Sequence, residues 1–378
     1  MTYVLIDGPD DADELRHSLS TSWRIALDCE AAGFHRYSDR LSLVQLSSTD
    51  RTFIIDPLAF DISDLLKGPL EDPEVEIVMH GADFDLRLLD RDLGIHLSGL
   101  FDTQVAAALL GESSLGLAAL LEKHLGVSLA KKYQRADWAR RPLPEEMLDY
   151  AASDTRHLHE LAAILRRELE ARGRLHWALE ESRALEDVRW ESSDGEDPVV
   201  KVKGARELAL REVAALREAL AWRDEIARDR DRAPFRVAGD PALVAAARQR
   251  PRSVSELSGI KGMNPRLARD VGEDLVDRLT RVASLPEASL EPYPRRDRNG
   301  PGRPPPEVEE LAERLKSARN QRADDLGIDR GSLVPNAMLL EIARVKPRDE
   351  DALRTIPGVR NWQVEAMGGA LLAVLNGR

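Results

Sequence analysis

Apolar residues along the first 80 positions come in short runs separated by polar or turn-forming residues. Runs of this length and spacing are typical of β-strands. They predict strands at residues 3–6, 23–29, 41–46, 52–55 and 75–79. The connections between the second, third and fourth runs are short, which favours an antiparallel meander.

Helical spacing dominates the pattern beyond residue 80. Apolar residues at intervals of three and four predict helices, several of which end at a glycine. Together with two earlier ones, the predicted helices of the first half are 12–19, 62–66, 84–93, 103–110, 115–125 and 144–170. Strands first, and then strands that alternate with helices, indicate an α/β domain with a mixed sheet.

The second half of the chain is almost wholly helical in pattern and contains a repeat. Seven residues recur at one offset of 96 positions, the difference between 347 and 251. A fixed offset without a gap indicates two copies of one helical module. The pairs are Pro251/Pro347, Arg252/Arg348, Leu257/Leu353, Ile260/Ile356, Gly262/Gly358, Gly272/Gly368 and Leu275/Leu371.

Composition divides the chain into regions. Residues 1–180 form the predicted N-terminal domain, and an acidic connector follows at 181–200. The first module takes 201–285 and the second module 307–378, and the linker 286–306 between them contains seven of the 21 prolines. A proline-rich linker is a semi-rigid spacer, so we expect both modules to move relative to the N-terminal domain.

Charge and cysteine content narrow the function classes. The net charge of −13 argues against a protein that coats nucleic acid non-specifically, but not against an enzyme with a local basic patch. The single cysteine, Cys29, excludes an intramolecular disulfide framework and a multi-cysteine zinc site. No membrane span, secretory signal or glycine-rich phosphate loop is visible. We therefore expect a cytoplasmic protein with no membrane partner and no nucleotide cofactor.

Two carboxylates lie at the end of the strand predicted at 23–29 and directly after it. Because side chains alternate along a strand, Asp28 and Glu30 point to one face and Cys29 to the other. Two like charges at the end of a buried strand need a positive partner, and Mg²⁺ or Mn²⁺ prefers oxygen ligands. A solvated strand end with two unrelated acids is the alternative.

Two more positions carry candidate chemistry. His80 and Asp85 lie where a strand gives way to a helix, although Asp85 there could be a helix N-terminal acid stabilised by the dipole. Tyr150 and Asp154 lie at i and i+4 and therefore share one helix face. Tyr150 could instead belong to the core, with Asp154 paired to Arg156 or His157.

A basic loop with interleaved aromatic residues, 131–143, precedes the helix that carries Tyr150. Basic side chains bind phosphates and aromatic rings stack on bases, so the loop is a candidate nucleic-acid contact. A solvated surface loop is the alternative. The residues that we expect to contact nucleic acid are Lys131, Lys132, Gln134, Arg135, Trp138 and Arg141.

The motifs, in this order and at these separations, resemble those of the DEDDy 3′→5′ exonuclease superfamily. The basic loop resembles ribonuclease D in particular, and the two modules resemble HRDC domains, which ribonuclease D carries after its catalytic domain. The resemblance covers nearly the whole chain and implies a ribonuclease H-like mixed sheet with flanking helices, followed by two all-α modules. The motifs are Asp28-x-Glu30, His80-x4-Asp85 and Tyr150-x3-Asp154.

The resemblance also implies roles in a reaction that two divalent ions, Mg²⁺ or Mn²⁺, support from positions ~3.5–4 Å apart. Asp28 would bridge both ions, and Glu30 and Asp154 would complete the site that activates water. Asp85 would serve the ion nearest the leaving 3′ oxygen, and Tyr150 would orient the attacking water.

Three neighbouring positions complete the expectation. His80 and His157 lie near motif residues, and His157 could orient Asp154 from one turn away. Cys29 is a departure, since ribonuclease D usually has Thr at that place. Because Cys29 faces away from the carboxylates, we expect metal binding to survive the change.

The predicted activity is metal-dependent 3′→5′ hydrolysis of RNA that ends in a 3′-OH, with release of nucleoside 5′-monophosphates. The family suggests precursor tRNA and other stable RNAs as substrates. Two alternatives remain, a DNA 3′→5′ exonuclease with the same site and a non-catalytic RNA-binding scaffold. Discrimination of RNA from DNA requires contacts to the 2′-OH, which the sequence does not locate.

Overall fold

One mixed six-stranded sheet forms the centre of the N-terminal domain. The computed structural model describes residues 3–130, 132–192, 195–294 and 304–377. In them the strand order is β1-β4-β3-β2-β5-β6, with β3 antiparallel to both of its neighbours, β2 and β4, and the remaining pairs parallel. The predicted meander is confirmed, whereas the pattern missed β6, a strand of three residues. The strands are β1 (Val4–Ile6), β2 (Arg24–Ala31), β3 (Leu41–Ser47), β4 (Thr52–Ile55), β5 (Glu76–Met79) and β6 (Leu100–Asp102).

Helices cover both faces of the sheet. Ile25 and Leu27 of β2 pack into a core with α1 to α3, whereas Ala26 between them faces a core with α4, α5, α7 and α8. The N-terminal domain's helices are α1 (Asp13–Thr21), α2 (Ser63–Glu71), α3 (Asp83–Leu93), α4 (Thr103–Leu110), α5 (Leu117–Leu125), α6 (Glu145–Arg156), α7 (Leu158–Ala171) and α8 (Leu175–Leu185).

The prediction of one long helix at 144–170 is wrong, because the helix is interrupted at His157, between α6 and α7. Side chains on both sides of the break bond to one residue of the sheet. The Thr155 hydroxyl lies 2.8 Å from the Ser47 hydroxyl, and His159 Nε2 lies 2.9 Å from the Ser47 carbonyl oxygen. The junction is thus tied to β3, and each helix buries its own apolar face.

The two modules have the same helices at the same spacing. Each helix of the second module begins 96 residues after its counterpart in the first, as 306 follows 210. The first module has α9 (Leu210–Asp229), α10 (Pro234–Val237), α11 (Asp240–Gln249), α12 (Val254–Ser258) and α13 (Pro265–Ser284). The second has α14 (Pro306–Leu326), α15 (Arg330–Leu333), α16 (Asn336–Val345), α17 (Glu350–Arg354) and α18 (Asn361–Leu375). None of the described helices is long and apolar enough to cross a membrane.

The second module packs on the N-terminal domain through an apolar contact. Trp362 of α18 stacks on Trp177 of α8, with ring centroids 4.9 Å apart, and both belong to one continuous core. The domains also meet where α4 and α14 end, since a Cβ on Gly111 would lie 1.8 Å from the carbonyl oxygen of Gly327. The expectation that this module moves relative to the N-terminal domain is therefore wrong. The composition of a linker does not show whether the domains it joins pack on each other.

The first module meets the N-terminal domain at the loop between β2 and β3, through polar groups and through the rings of Phe34 and Phe235. Arg36 pairs with Asp231 at 3.0 Å, and the Tyr37 hydroxyl donates to Asp224 at 3.0 Å. Helix α8 continues to Leu185, so the first residues of the predicted connector are helical. Ser193 and Asp194 of the connector and residues 295–303 of the linker lie outside the described residues.

Candidate active site

Strand β2 carries Asp28 and Glu30 in the interior of the sheet. The parallel strand β5 pairs with β2 only as far as Ala26, so the part of β2 that bears both acids extends past the end of β5. On its other side β2 remains paired, and Asp28 lies opposite Gln45 of β3. The two acids thus line a crevice at the carboxyl end of β5, a place where ligands bind in open α/β sheets.

Helix α6 adds a third acid to this crevice. One carboxylate oxygen from each of Asp28, Glu30 and Asp154 lies within 4.8 Å of the other two. Asp154 is far from the other two in sequence and reaches them because α6 packs across β2, β3 and β4. Three carboxylates at this separation form a set of hard oxygen ligands that suits a divalent cation.

Asp85 comes from the first turn of α3 and lies outside that group of three. It is only 8% exposed, and the negative charge of Asp28 raises its pKa, so the two groups interact. The turn before α3 holds it in place, because Asp102 accepts the backbone N–H groups of Gly81 at 3.0 Å and Ala82 at 2.8 Å. Gly81 has φ +74°, which a glycine adopts without strain.

Burial raises the pKa of every acid in this cluster, and repulsion from neighbouring acids raises three of the four further. Burial is the largest cause for all four, and it raises the pKa of Glu30 to about 10 with further contributions from Asp28, Asp154 and Asp85. The pKa values of the other three acids are also raised. Among the described residues, every charged side chain that acts on these four pKa values is itself acidic. A cluster of this kind is stable in its charged form only with bound cations.

Tyr150 lies beside the acid cluster (Asp28, Glu30, Asp85 and Asp154). Its ring packs against those of Tyr133 and Trp138, with centroids 5.9 Å and 6.1 Å away. Burial, followed by the charges of Asp154, Glu30 and Asp28, raises the pKa of its phenol, so the hydroxyl stays protonated and can donate. Tyr150 is thus both partly core and close to the acids, which combines the two alternatives left open by the sequence.

Trp138 does not contact nucleic acid as predicted, because it is 1% exposed and lies in a core under Tyr150. Lys132, Gln134 and Arg135 are exposed, although Lys132 pairs with Glu146 at 3.0 Å. Lys131 lies outside the described residues. The aromatic residue in the basic loop therefore supports the site from beneath instead of stacking on a base.

Arg141, also predicted to contact nucleic acid, has partners within the fold. Its guanidinium forms two hydrogen bonds with Asp56, at 2.5 Å and 2.6 Å, and donates to the carbonyl of Ser42 at 2.7 Å. Asp56 is 6% exposed, so the pair is largely shielded from water. Arg141 fastens the end of the basic loop to β3 and to the residue after β4.

The two histidines expected to support the site have other partners. His80 Nδ1 lies 2.9 Å from the hydroxyl of Thr103, and burial lowers the pKa of its imidazole. His157 Nδ1 lies 3.8 Å from Glu160 of α7. This contact takes the place of the pairing with Asp154 that the helical spacing suggested. His80 thus ties the residue after β5 to the start of α4.

Two supporting residues were missed by sequence reasoning. Gln45 is buried, and its amide, with the nitrogen toward Asp28, donates to Asp28 Oδ2 at 3.2 Å and to the Asp28 carbonyl at 2.9 Å. Asp102 caps α4 as well as binding the turn at Gly81. A signal existed for each: a glutamine within an otherwise apolar strand, and an aspartate directly before a helical pattern.

Comparison with known proteins gives the same division of the chain. Residues 3–170 match a family of 3′-5′ exonuclease domains, and residues 212–279 and 308–375 each match the HRDC domain. Ribonuclease D of Pseudomonas paraeruginosa is 33% identical over 363 residues, which cover 93% of both chains. Ribonuclease D of Escherichia coli is 34% identical over 77% of each chain.

Solved structures agree over the full length. The crystal structure of Escherichia coli RNase D, described as an exoribonuclease involved in structured RNA processing, matches with a TM-score of 0.69 and 30% identity over 100% of this chain and 99% of that one. A protein from Bifidobacterium adolescentis matches with a TM-score of 0.83 and 26% identity over 100% of this chain and 97% of that one. The chain belongs to the ribonuclease D family of divalent-metal-dependent 3′→5′ exoribonucleases.

Proposed function

We propose that the enzyme shortens RNA from a 3′-OH end and releases nucleoside 5′-monophosphates, with two Mg²⁺ or Mn²⁺ ions held by the acid cluster. The observation that carries this proposal is the half-buried group Asp28, Glu30 and Asp154, of which one oxygen each lies within 4.8 Å of the other two. Burial raises the pKa of all three acids, and neighbouring acids raise those of Glu30 and Asp154 further. Such a cost persists in a fold when binding of cations offsets it.

The four acids divide between the ions by position. Asp28, Glu30 and Asp154 would hold one ion, and Asp28 with Asp85 would hold the other. Bound ions of this kind neutralise charge on the phosphate and lower the pKa of water so that hydroxide forms at neutral pH. Gln45 fixes the orientation of Asp28 through the two hydrogen bonds of its amide.

Tyr150 positions the attacking water through its protonated hydroxyl. The water oxygen bonds to the last phosphorus, and the bond from phosphorus to the 3′ oxygen of the preceding nucleotide breaks. That oxygen leaves with a proton and becomes the new 3′-OH, while the released nucleotide keeps the phosphate on its 5′ carbon. Because the tyrosine ring is wedged between Tyr133 and Trp138, its hydroxyl stays in one place through the reaction.

We extend the substrate to structured RNA, with tRNA precursors first, and the location to the cytoplasm. The Escherichia coli relative is described as acting in structured RNA processing, and this chain matches nearly all of its length. Lys132, Gln134 and Arg135 are exposed on the loop next to Tyr150, where they can contact the RNA end. A DNA exonuclease and a non-catalytic scaffold are less well supported, because the family match is to exoribonucleases.

Digestion of defined RNAs tests the proposal. One strand is supplied with a 3′-OH end, with a 3′-phosphate end and as matched DNA, in Mg²⁺, Mn²⁺ or EDTA, and the products are identified by mass. We expect nucleoside 5′-monophosphates from the 3′-OH strand, in either metal only. Release of nucleoside 3′-monophosphates, equal rates in EDTA, or faster hydrolysis of DNA would contradict the proposal.

A further inference from the structure

The first module bears a cleft of about 460 Å³ whose lining is dominated by arginine. The arginine cleft is lined by Arg230, Arg232, Arg236 and Arg266, together with Asn264 and Asp270 and two apolar side chains. All four arginines are exposed. Among the described residues Asp270 is the one acid in the lining, and its contact with Arg266 is long, 3.8 Å, between exposed side chains. An ion pair of this kind neutralises little charge.

The same face of the second module is apolar and buried. Moving 96 residues along the chain from Arg232 and Arg266 leads to Ile328 and Trp362, which are 6% and 1% exposed. Trp362 is the residue that stacks on Trp177 of the N-terminal domain. The equivalent face therefore has side chains that suit a protein contact in the second module and side chains that suit an anion in the first.

The position of the cleft connects it with the active site. Arg236 donates to the carbonyl of Phe34 at 2.6 Å, and its guanidinium lies 4.7 Å from the centre of the Phe34 ring. Arg135 of the basic loop lies 5.5 Å from the same ring. Phe34 follows Glu30 by four residues, so its backbone is at most ~14 Å from a residue of the acid cluster.

Two exposed aromatic rings lie next to the cleft. Phe34 is 39% exposed and Phe235 is 51% exposed, and their centroids are 5.3 Å apart. Large apolar side chains at the surface, flanked by arginines, match the composition of single-strand binding sites, where bases stack on rings and phosphates meet cations. The rings also form part of the contact between the first module and the loop after β2, and both remain exposed there.

We infer that the arginine cleft binds the phosphates of the single-stranded RNA segment upstream of the 3′ end, and that Phe34 and Phe235 stack on bases between the cleft and the acid cluster. This inference rests on the proposed function for the direction of the RNA. The cleft extends the enzyme's grip beyond the nucleotides in the active site, so substrates too short to reach it gain nothing from it.

Binding of fluorescent single-stranded RNA to the full-length protein in EDTA tests the inference, with strands of roughly 4 and roughly 16 nucleotides. The variant Arg232→Gln/Arg266→Gln should weaken binding of the long strand about tenfold at ~0.1 M salt, and lower its salt slope by about 1.4 for two lost phosphate contacts. Phe235→Ala should weaken binding about fivefold with an unchanged slope, because stacking releases no counterions. The cleft variant should not change binding of the short strand, which is too short to reach from the acid cluster to the cleft.

A matched control removes the same charge from the same module outside the cleft. Arg248 and Arg281 are exposed and lie outside the lining, so Arg248→Gln/Arg281→Gln should leave the salt slope near that of the unmodified protein. Equal losses for the two double variants would overturn the inference, as would full-strength binding by the cleft variant, which would leave the cleft to a protein partner. Failure of the proposed function is a separate result: no RNA hydrolysis with either metal, measured independently of binding in EDTA.

Discussion

The two modules are copies of one helical fold, yet they use the same face in opposite ways. In the first copy this face carries Arg232 and Arg266 and is open beside the active site. In the second copy the corresponding residues are Ile328 and Trp362, and the face is buried on the N-terminal domain. The helices begin at matching positions in both copies, so the framework is retained while the chemistry of one face is exchanged.

The difference teaches that a repeat need not have one job. Framework positions determine where the helices lie: Arg223 and its counterpart Arg319 donate to equivalent carbonyls, those of Ala238 and Val334. The exposed face contributes little to that framework, so its side chains can change without loss of the fold. One copy then becomes part of the N-terminal domain's core, and the other remains available to a ligand.

The largest expected effect comes from the residue pair that differs most between the copies. Trp362→Ala should lower the free energy of unfolding by about 3–5 kcal/mol, because it removes a large buried side chain that stacks on Trp177. It also removes the hydrogen bond from Trp362 Nε1 to Glu181 Oε1, 2.7 Å long. Urea unfolding followed by far-UV circular dichroism measures the change.

The corresponding change in the first copy is the control. Arg266→Ala should alter the free energy of unfolding by less than about 0.5 kcal/mol, because the side chain is 85% exposed. Similar losses for Trp362→Ala and Arg266→Ala would break the comparison between a docked face and an open one.

The next effect separates the acid cluster from both modules. Asp85→Asn should lower kcat at least ~100-fold, because it removes charge from the metal site in the N-terminal domain. RNA binding in EDTA, which we attribute to the first module, should persist. Asp83→Asn, in the same turn of α3 but exposed, is the matched control and should retain activity. Turnover of Asp85→Asn at the unmodified rate would show that this acid holds no metal.

The repeat and the antiparallel meander could be predicted because each depends on local pattern, whereas the meeting of acids from β2, α3 and α6 was expected only from the resemblance to a known family. The fixed offset of 96 residues located every helix of the second module from the first. Alternation along β2 placed Asp28 and Glu30 on one face, and helical spacing joined Tyr150 to Asp154. These signals act within one element, where neighbouring residues decide the outcome.

Contacts between elements could not be predicted in this way. Trp138 and Arg141 looked like ligand contacts in sequence, but one packs under Tyr150 and the other pairs with Asp56 across the fold. Docking of the second module was missed as well, although the exchange of Arg266 for Trp362 between the copies was visible in the repeat. A fragment that ends at residue 200 would expose Trp177, so it is a poor test of catalysis without the modules.

A smaller effect compares two tyrosines that pack against each other, Tyr150 of α6 and Tyr133 of the basic loop. Tyr150→Phe should lower kcat about tenfold with little change in RNA affinity, because it removes only the hydroxyl that orients water. Tyr133→Phe is the control, since the Tyr133 hydroxyl donates to exposed Glu146 at 2.6 Å. Measured kcat and binding constants decide the matter: a loss of affinity in Tyr150→Phe without loss of kcat would assign Tyr150 to substrate binding.

The smallest effect concerns stability, to which the acid cluster and the docked second module contribute with opposite signs. Burial raises the pKa of Glu30 to about 10, whereas an unfolded chain has a Glu pKa near ~4.3. The folded state therefore binds more protons between these two values, and metal-free stability falls as the pH rises through that window. Below pH ~4 the group is protonated in both states and makes no difference.

Glu30→Gln removes this titration, so in EDTA at pH 8 the variant should be more stable than the unmodified protein by about 1–2 kcal/mol, with a smaller loss between pH 5 and pH 8. Addition of Mn²⁺ should reverse the order, because a bound ion stabilises only the protein that retains its ligands. Glu273→Gln, exposed on the first module, is the control and should change neither profile. If Glu30→Gln is the less stable protein in EDTA at pH 8, the Glu30 carboxylate does not destabilise the metal-free fold. The stabilising contact of Trp362 would then have no electrostatic cost to offset. Reversal of the order of stability by Mn²⁺ would instead show that the acids destabilise the metal-free protein and that bound ions offset this effect.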